Sequence, residues 1–391
     1  MTDDTRRRTA RLALPLLGLT LAAALLPALS QPASAAPSSV IKGDTVPKVK
    51  NLGPTTFAKR GPYGVGLATL KLPTNAAPVE VWYPAKRSDV KGKRVVNYDL
   101  VDWLPASYQS ALPKGAAVTY PTGGVRGVDV ARGRFPLVVF SHGFAGFRDQ
   151  SSFLTAWLAS WGFVVAAPDQ HSRDLTSFLD FTGSSTGKTT DVEDLRATLT
   201  LMRTKDKARK GRFAGHVDTK LVGALGHSAG GAAVQEFAAA DRRVTTFVGL
   251  APGAGEGKVP RQPGLFMAGT TDGIISPERI TATYEKLKTP KRLVVVGGGH
   301  HAFSDLCQVG AEKGGLLQVA ELLHFPVSDD LRRLASDGCE PPSLPPTKAW
   351  PAIRQTVVAH LRHVFRFDRS TKGLRGLKAA YPGVVESTRT N

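Results

Sequence analysis

The stretch Lys220 to Val234 reads K-L-V-G-A-L-G-H-S-A-G-G-A-A-V, and its reading decides the fold. A short apolar run ends in Gly226-His227-Ser228-Ala229-Gly230 and passes into small, helix-forming residues. This is G-x-S-x-G set between a buried strand and a helix, where a serine is held out on a sharp turn. A serine hydroxyl is a poor nucleophile and must stand where a base can reach it, which is what such a turn provides. Gly226 and Gly230 remove side chains that the crowded backbone would not admit. Taken alone, the same letters also fit a glycine-rich loop with an incidental serine. The neighbouring segments separate the two readings.

From Phe135 onward, buried strands alternate with helical periods, the pattern of a parallel sheet. Leu137-Val138-Val139-Phe140 is a continuous apolar run, as a strand covered on both faces requires. Further strands are predicted near residues 163–167, 221–225, 244–250, 265–268 and 292–296. Helices are predicted near 151–161, 191–203, 229–240, 277–287 and 351–365. Two earlier strands, near 65–72 and 79–84, precede this block. Residues 97–125 carry scattered aromatics and prolines, and form either a cover over a pocket or a surface loop. The fold class is α/β: a doubly wound, mostly parallel sheet flanked by helices, which binds ligands at the carboxyl ends of its strands.

Four strand ends carry the residues a serine hydrolase needs. Ser228 is the first. Asp272, in Thr271-Asp272-Gly273, follows one strand, and His300, in Gly298-Gly299-His300-His301, follows the next. The order Ser, Asp, His is that of α/β-hydrolases and differs from the chymotrypsin and subtilisin orders. The fourth is His142-Gly143-Phe144, an oxyanion-type loop. The backbone N–H groups of Phe144 and Ala229 are the expected donors to the charged oxygen formed on attack. His301 competes with His300 as the base, and Asp169 and Asp305 compete with Asp272 as the acid. The side chain of His142 reads as a capping or core group, and His171, His216, His324, His360 and His363 read as structural or exposed.

Composition bounds the rest. The chain has 391 residues, 42% of them hydrophobic, enough for one large α/β domain or two ordinary ones. Arg6, Arg7, Arg8 and Arg11 precede an apolar run from Leu12 to Leu29 and the small residues Ala33-Ser34-Ala35. Residues 1–35 therefore read as a secretory signal peptide cleaved near Ala35, with the export route left open. Residues 36–62 read as a linker or lead-in, 63–368 as the catalytic domain and 369–391 as a basic tail. Within the domain, residues 306–347 read as a lid or a packed excursion, with Leu316, Leu317, Leu322, Leu323 and Phe325 as its apolar face. The only two cysteines, Cys307 and Cys339, are expected to form a disulfide in an oxidising compartment. No Cys/His cluster has metal spacing. The net charge of +19 is strongly basic. Its densest run, Lys205 to Arg212, lacks interleaved aromatics, so a solvated surface attracted to anionic material is expected rather than a nucleic-acid site.

Several of these segments resemble known families. Phe135 to Arg148 (F-P-L-V-V-F-S-H-G-F-A-G-F-R) and Leu158 to Asp169 (L-A-S-W-G-F-V-V-A-A-P-D) resemble the platelet-activating factor acetylhydrolase family. Val81 to Pro84, Gly226 to Gly231 and H-x-x-F-x-D at His300 to Asp305 resemble it as well. The last match points to His300 rather than His301. That family carries its acid after the strand following the nucleophile helix, where this chain has Gly249-Leu250-Ala251-Pro252. The acid segment M-A-G-T-T-D-G instead resembles polyester-degrading cutinases and related lipases. The resemblance implies an α/β-hydrolase fold and a secreted serine esterase that needs no cofactor. Its substrate would be a small-molecule or lipid-like ester. A polyester or triglyceride hydrolase is the alternative, an acyltransferase a third, and a non-catalytic binding protein on the same fold the reading from another class.

Overall fold

A computed structural model describes residues 46–180, 189–288, 290–322 and 324–391. The expected signal peptide, the first part of the lead-in and Leu323 lie outside the described residues.

Nine strands form one sheet in the order β1-β2-β6-β5-β7-β8-β9-β10-β11. They are β1 (Gly64–Lys71), β2 (Pro78–Ala85), β5 (Phe135–Ser141), β6 (Val164–Pro168), β7 (Val217–His227), β8 (Thr246–Leu250), β9 (Gly264–Gly269), β10 (Lys291–Val296) and β11 (Val385–Thr390). A separate pair, β3 (Asn97–Asp99) and β4 (Thr119–Pro121), lies in the segment before β5. The six strands from β6 to β10 in the sheet order run parallel. Antiparallel strands close both sides: β1 and β2 at one, β11 at the other.

Every residue of β5, β6, β8 and β9 is buried, which is why these strands read as unbroken apolar runs. The helices that cover them are α1 (Ser152–Ser160), α2 (Asp191–Lys207), α3 (Ala229–Ala240), α4 (Pro277–Lys286) and α7 (Pro346–Val364). A capping box at Thr190 and Glu193 starts α2 by satisfying two amide donors reciprocally. Between β10 and α7 lie two further helices, α5 (Gly315–Leu322) and α6 (Asp329–Ser336), and the end of α6 meets the loop after β10, where the Leu334 carbonyl contacts His301. Cys307 and Cys339 are joined by a disulfide that staples the two ends of this excursion.

Three expectations need correcting. Residues 369–391 are not a tail: they include β11, which pairs with β10 through Asn391, whose N–H donates to the Lys291 carbonyl. Its polar letters suit an edge strand, which is hydrogen-bonded on one side only. Residues 46–62 are more than a linker, because Phe57 is fully buried, against the edge of the Trp161 ring. The last long helix begins at Pro346, five residues before the expected Pro351, with a proline in its first turn where no amide partner is lost.

Candidate active site

The turn between β7 and α3 is strained at one residue. Ser228 has φ 56° and ψ −122°, a conformation that costs a non-glycine residue on the order of 1–3 kcal/mol. The strain is held by backbone bonds: the Ser228 N–H donates to the Leu250 carbonyl (2.9 Å), and its own carbonyl accepts from Gly231 (2.9 Å) and Gly253 (3.0 Å). The hydroxyl does not cap the helix. Gly230 is required by contact rather than by its own dihedral angles, since a Cβ there would run into the carbonyls of Ser141 and His142 at the end of β5.

Loops after β9 and β10 bring Asp272 and His300 together. His300 Nδ1 lies 2.9 Å from Oδ2 of Asp272, with both side chains buried. Oδ1 of the same carboxylate accepts the N–H groups of Ile274 (2.9 Å) and Ile275 (2.8 Å). A carboxylate with these partners accepts a hydrogen bond from Nδ1–H, which leaves the lone pair of a neutral imidazole on Nε2. That Nε2 is buried and has no hydrogen-bond partner.

The rivals are otherwise engaged. His301 Nδ1 contacts Ser304 Oγ (2.9 Å) and its Nε2 contacts the Leu334 carbonyl (2.6 Å), so neither nitrogen is free. Asp305 caps α1 by accepting from Ser152 N–H (2.6 Å) and Phe153 N–H (3.0 Å). Asp169 accepts from the Arg148 backbone (2.8 Å) and from Trp103 Nε1 (3.1 Å), and pairs with the Arg148 guanidinium. His142 is fully buried and accepts the Gln170 N–H at Nε2 (2.9 Å).

The loop His142 to Phe144 abuts Ser228. A Cβ on Gly143 would stand 3.3 Å from Cβ of Ser228. Arg173, a residue the sequence did not single out, sets the direction of this loop. Its Nη1 donates to the carbonyls of His142 and Gly143 (2.7 Å to the latter), while Nη2 donates to Ser141 Oγ (2.9 Å) and Gln170 Oε1 (2.6 Å). A trans peptide points its C=O and N–H in opposite directions. Turning the Gly143 carbonyl toward Arg173 therefore turns the Phe144 N–H away from it. Ala229 opens α3, where helix N–H groups have no intrahelical acceptor.

A second chain of bonds, also unforeseen, links this loop to His300. Gly143 N–H donates to Gln150 Oε1 (3.1 Å), Gln150 Nε2 to His227 Nδ1 (2.9 Å), and His227 Nε2 to the His300 carbonyl (3.1 Å). The directions close only with His227 neutral. Burial, and then the neighbouring His300, hold its pKa well below the ordinary value. Burial with the adjacent His300 also lowers His301 to about 4, and burial with Arg173 lowers His142 to about 4. The two imidazoles that flank His300, His227 and His301, are thus held neutral by burial. His227 occupied the variable slot of G-x-S-x-G and was visible there; Gln150 and Arg173 carried no comparable signal.

Beside this machinery lies an apolar cavity of about 150 Å³. Leu104 and Val118 come from the segment around β3 and β4, Phe144 from the oxyanion loop, and Leu317 and Leu334 from α5 and α6. Residues 97–125 and 306–347 thus both contribute walls. Of the leucines singled out in the excursion, Leu316 and Leu317 face the cavity with Phe325, while Leu322 is exposed. Among the described residues, no group of three or more His, Cys, Asp or Glu is arranged to hold a metal ion.

A serine on a strained strand-to-helix turn, within a mostly parallel sheet flanked by helices, defines an α/β-hydrolase. Comparison with known proteins agrees. The chain belongs to the PET hydrolase-like family, whose pattern matches residues 107–349, and is a carboxylic ester hydrolase. It is also 22% identical to a platelet-activating factor acetylhydrolase of Cavia porcellus over 339 residues, covering 74% of this chain and 78% of that protein.

Proposed function

We propose that this hydrolase is a secreted serine esterase acting on esters with an apolar chain, through Ser228, His300 and Asp272. The observation that carries the reading is the His300 ring, tied to Asp272 at Nδ1 with a buried, unpartnered Nε2. Ser228 Oγ attacks the ester carbonyl and its proton passes to His300 Nε2. The tetrahedral oxyanion is met by the N–H groups of Phe144 and Ala229. Collapse expels the alcohol, which leaves with that proton, and forms the acyl-enzyme. Water, deprotonated by His300, then attacks the acyl carbon, and Ser228 departs with the proton. Asp272 keeps the imidazole in the working tautomer and stabilises its charged form.

The apolar cavity beside Phe144 supports a chain of low polarity as one arm of the substrate. Each methylene buried there is worth about 0.8 kcal/mol, close to a fourfold gain in kcat/KM until the space is full. A series of p-nitrophenyl esters of rising chain length reads this directly. Optimal turnover of the acetyl ester, with a steady fall thereafter, would remove the chain-length claim. Ser228→Ala should abolish both hydrolysis and labelling by a fluorophosphonate, with a loss on the order of 10⁶-fold in kcat. Labelling that survives this substitution would remove the nucleophile. No labelling of the wild type would favour a binding protein.

A second reading, polyester cleavage, is favoured by Phe144 and Leu322, which stand 49% and 62% exposed. Exposed apolar side chains suit contact with a solid or lipid surface. Release of soluble acids from a polyester film, compared with release from a triglyceride emulsion, separates the two. Export is supported by the amino-terminal residues and by the disulfide; among the described residues no helix is long and apolar enough to cross a membrane. Neither a nucleic acid nor a cofactor is needed by the proposed chemistry.

A further inference from the structure

Asp337 lies at the end of α6, two residues before Cys339, and touches neither the nucleophile nor the oxyanion loop in any bond described above. Its carboxylate nevertheless joins the two loops that carry the acid and the base. Oδ2 accepts the N–H of Gly273, the residue after Asp272, at 2.9 Å. Oδ1 accepts the N–H of His300 at 2.6 Å. Its backbone carbonyl takes the N–H of His301 at 3.1 Å. Three donors on two loops thus converge on one residue from a third segment.

The loops are shaped to admit it. A Cβ on Gly273 would stand 2.7 Å from Asp337 Oδ2. A Cβ on Gly299 would collide with Asp337 Oδ1 and with the backbone of Gly338, 2.6 Å from its Cα. Glycine at both places lets the carboxylate approach the main chain closely. Asp337 is itself held: the disulfide fastens Cys339 to Cys307, close after His300 in the chain, so the segment returns to the loop it braces. The His300 backbone is then fixed at both ends, its N–H by Asp337 and its C=O by His227.

We infer that Asp337 is a positioning residue that sets the distance and angle between Asp272 and His300, and that the Cys307–Cys339 disulfide acts through it. The inference rests on the Ser228–His300–Asp272 reading above. Small misplacements of reacting groups carry large rate penalties, about 10²-fold for 1 Å. The clamp also ties the α5–α6 wall of the apolar cavity to the same loops, because Leu334 and Asp337 belong to one short stretch.

The test measures kcat, KM and active-site content, the last by fluorophosphonate titration, in wild type, Asp337→Asn, Asp337→Ala and a Cys307→Ser/Cys339→Ser protein. The expected result is a kcat per titrated site lowered about 10- to 100-fold in Asp337→Ala, with KM changed by less than about threefold. Asp337→Asn keeps one acceptor oxygen and should fall between the alanine variant and wild type. The cysteine variant should lose rate in wild type and lose little more when combined with Asp337→Ala, since both act on one element. The low-field proton resonance of His300 Nδ1–H should be sharp in wild type and broadened in Asp337→Ala. A per-site kcat within twofold of wild type, or a lowered rate with an unchanged resonance, would overturn the clamp. Such a result alongside an inactive Ser228→Ala leaves the serine reading intact, whereas an active Ser228→Ala removes the reading itself.

Discussion

The two halves of the site are built differently. Ser228 and Ala229 stand directly at the end of β7, which pairs with β5 along all seven residues of β5, down to Ser141 opposite Gly226; Phe144, three residues past Ser141, is turned by Arg173. The positions of Ser228 and Ala229 follow from sheet register and from one strained residue. Asp272 and His300 also follow neighbouring strands, β9 and β10, paired as far as Val296 opposite Gly269. Each then lies several residues beyond its strand end, on a loop the sheet no longer controls. There the order comes from Asp337, reached after some forty further residues and held by a disulfide. A strand end placed by register needs little help; a side chain carried out on a loop needs a second support.

The sharpest way to break this comparison is Asp272→Asn. On the proposed mechanism, losing the carboxylate that meets His300 Nδ1 should cost about 10⁴-fold in kcat, with the protein still folded and the Phe144 and Ala229 N–H groups untouched. Single-turnover acylation of Ser228 reads this loss, and a drop of tenfold or less would mean that another group orients the ring. Arg173→Met tests the other half. It removes the brace behind the Phe144 N–H without removing the N–H, so the loss should stay below the 10²- to 10³-fold seen when an oxyanion donor itself is deleted. About tenfold in kcat is expected, with KM little changed; an unaltered kcat would show that register alone aims the loop.

The smallest effect is a control outside both halves. His360, on α7, contacts Thr246 Oγ1 at 2.9 Å at the opposite end of β8, and burial lowers its pKa to about 3. Below an unfolded value near 6.5 the unfolded chain takes the proton first. The stability contributed by neutral His360 is therefore complete above about pH 6.5 and is lost as the pH falls toward 3. His142 and His301 act in the same direction, while the buried Asp149 and Asp305, whose pKa values are raised by burial, act in the other. His360→Gln should lose less Tm than wild type between about pH 7 and pH 4.5, with kcat at neutral pH unchanged. An equal loss of Tm would show that His360 does not bear the acid sensitivity.

The same contrast explains what could be read from the letters. The turn at Ser228 and the meeting of Asp272 with His300 were legible because each residue follows an apolar run that announces a strand and is flagged by glycine. The disulfide was legible because the chain holds two cysteines and no more. Asp337 was not, because its partners are backbone N–H groups in loops 37 and 64 positions away, and a backbone donor leaves no mark in a sequence. Arg173 follows Pro168-Asp169 in a polar stretch that reads as surface, yet its guanidinium is buried under carbonyls. β11 was missed for a different reason. Val385-Glu386-Ser387-Thr388-Arg389-Thr390 is mostly exposed, so the apolar signal that betrays a buried strand is absent.

The apolar lining of the cavity has a thermodynamic consequence. A ligand chain that leaves water for a wall of leucine, valine and phenylalanine side chains carries a negative heat-capacity change. Titrating a long-chain ester into the Ser228→Ala protein at several temperatures should therefore give a binding enthalpy that grows more favourable on warming. The slope should steepen with each added methylene and level off at the length where the cavity is full, so calorimetry alone measures the depth of the cavity without a single turnover.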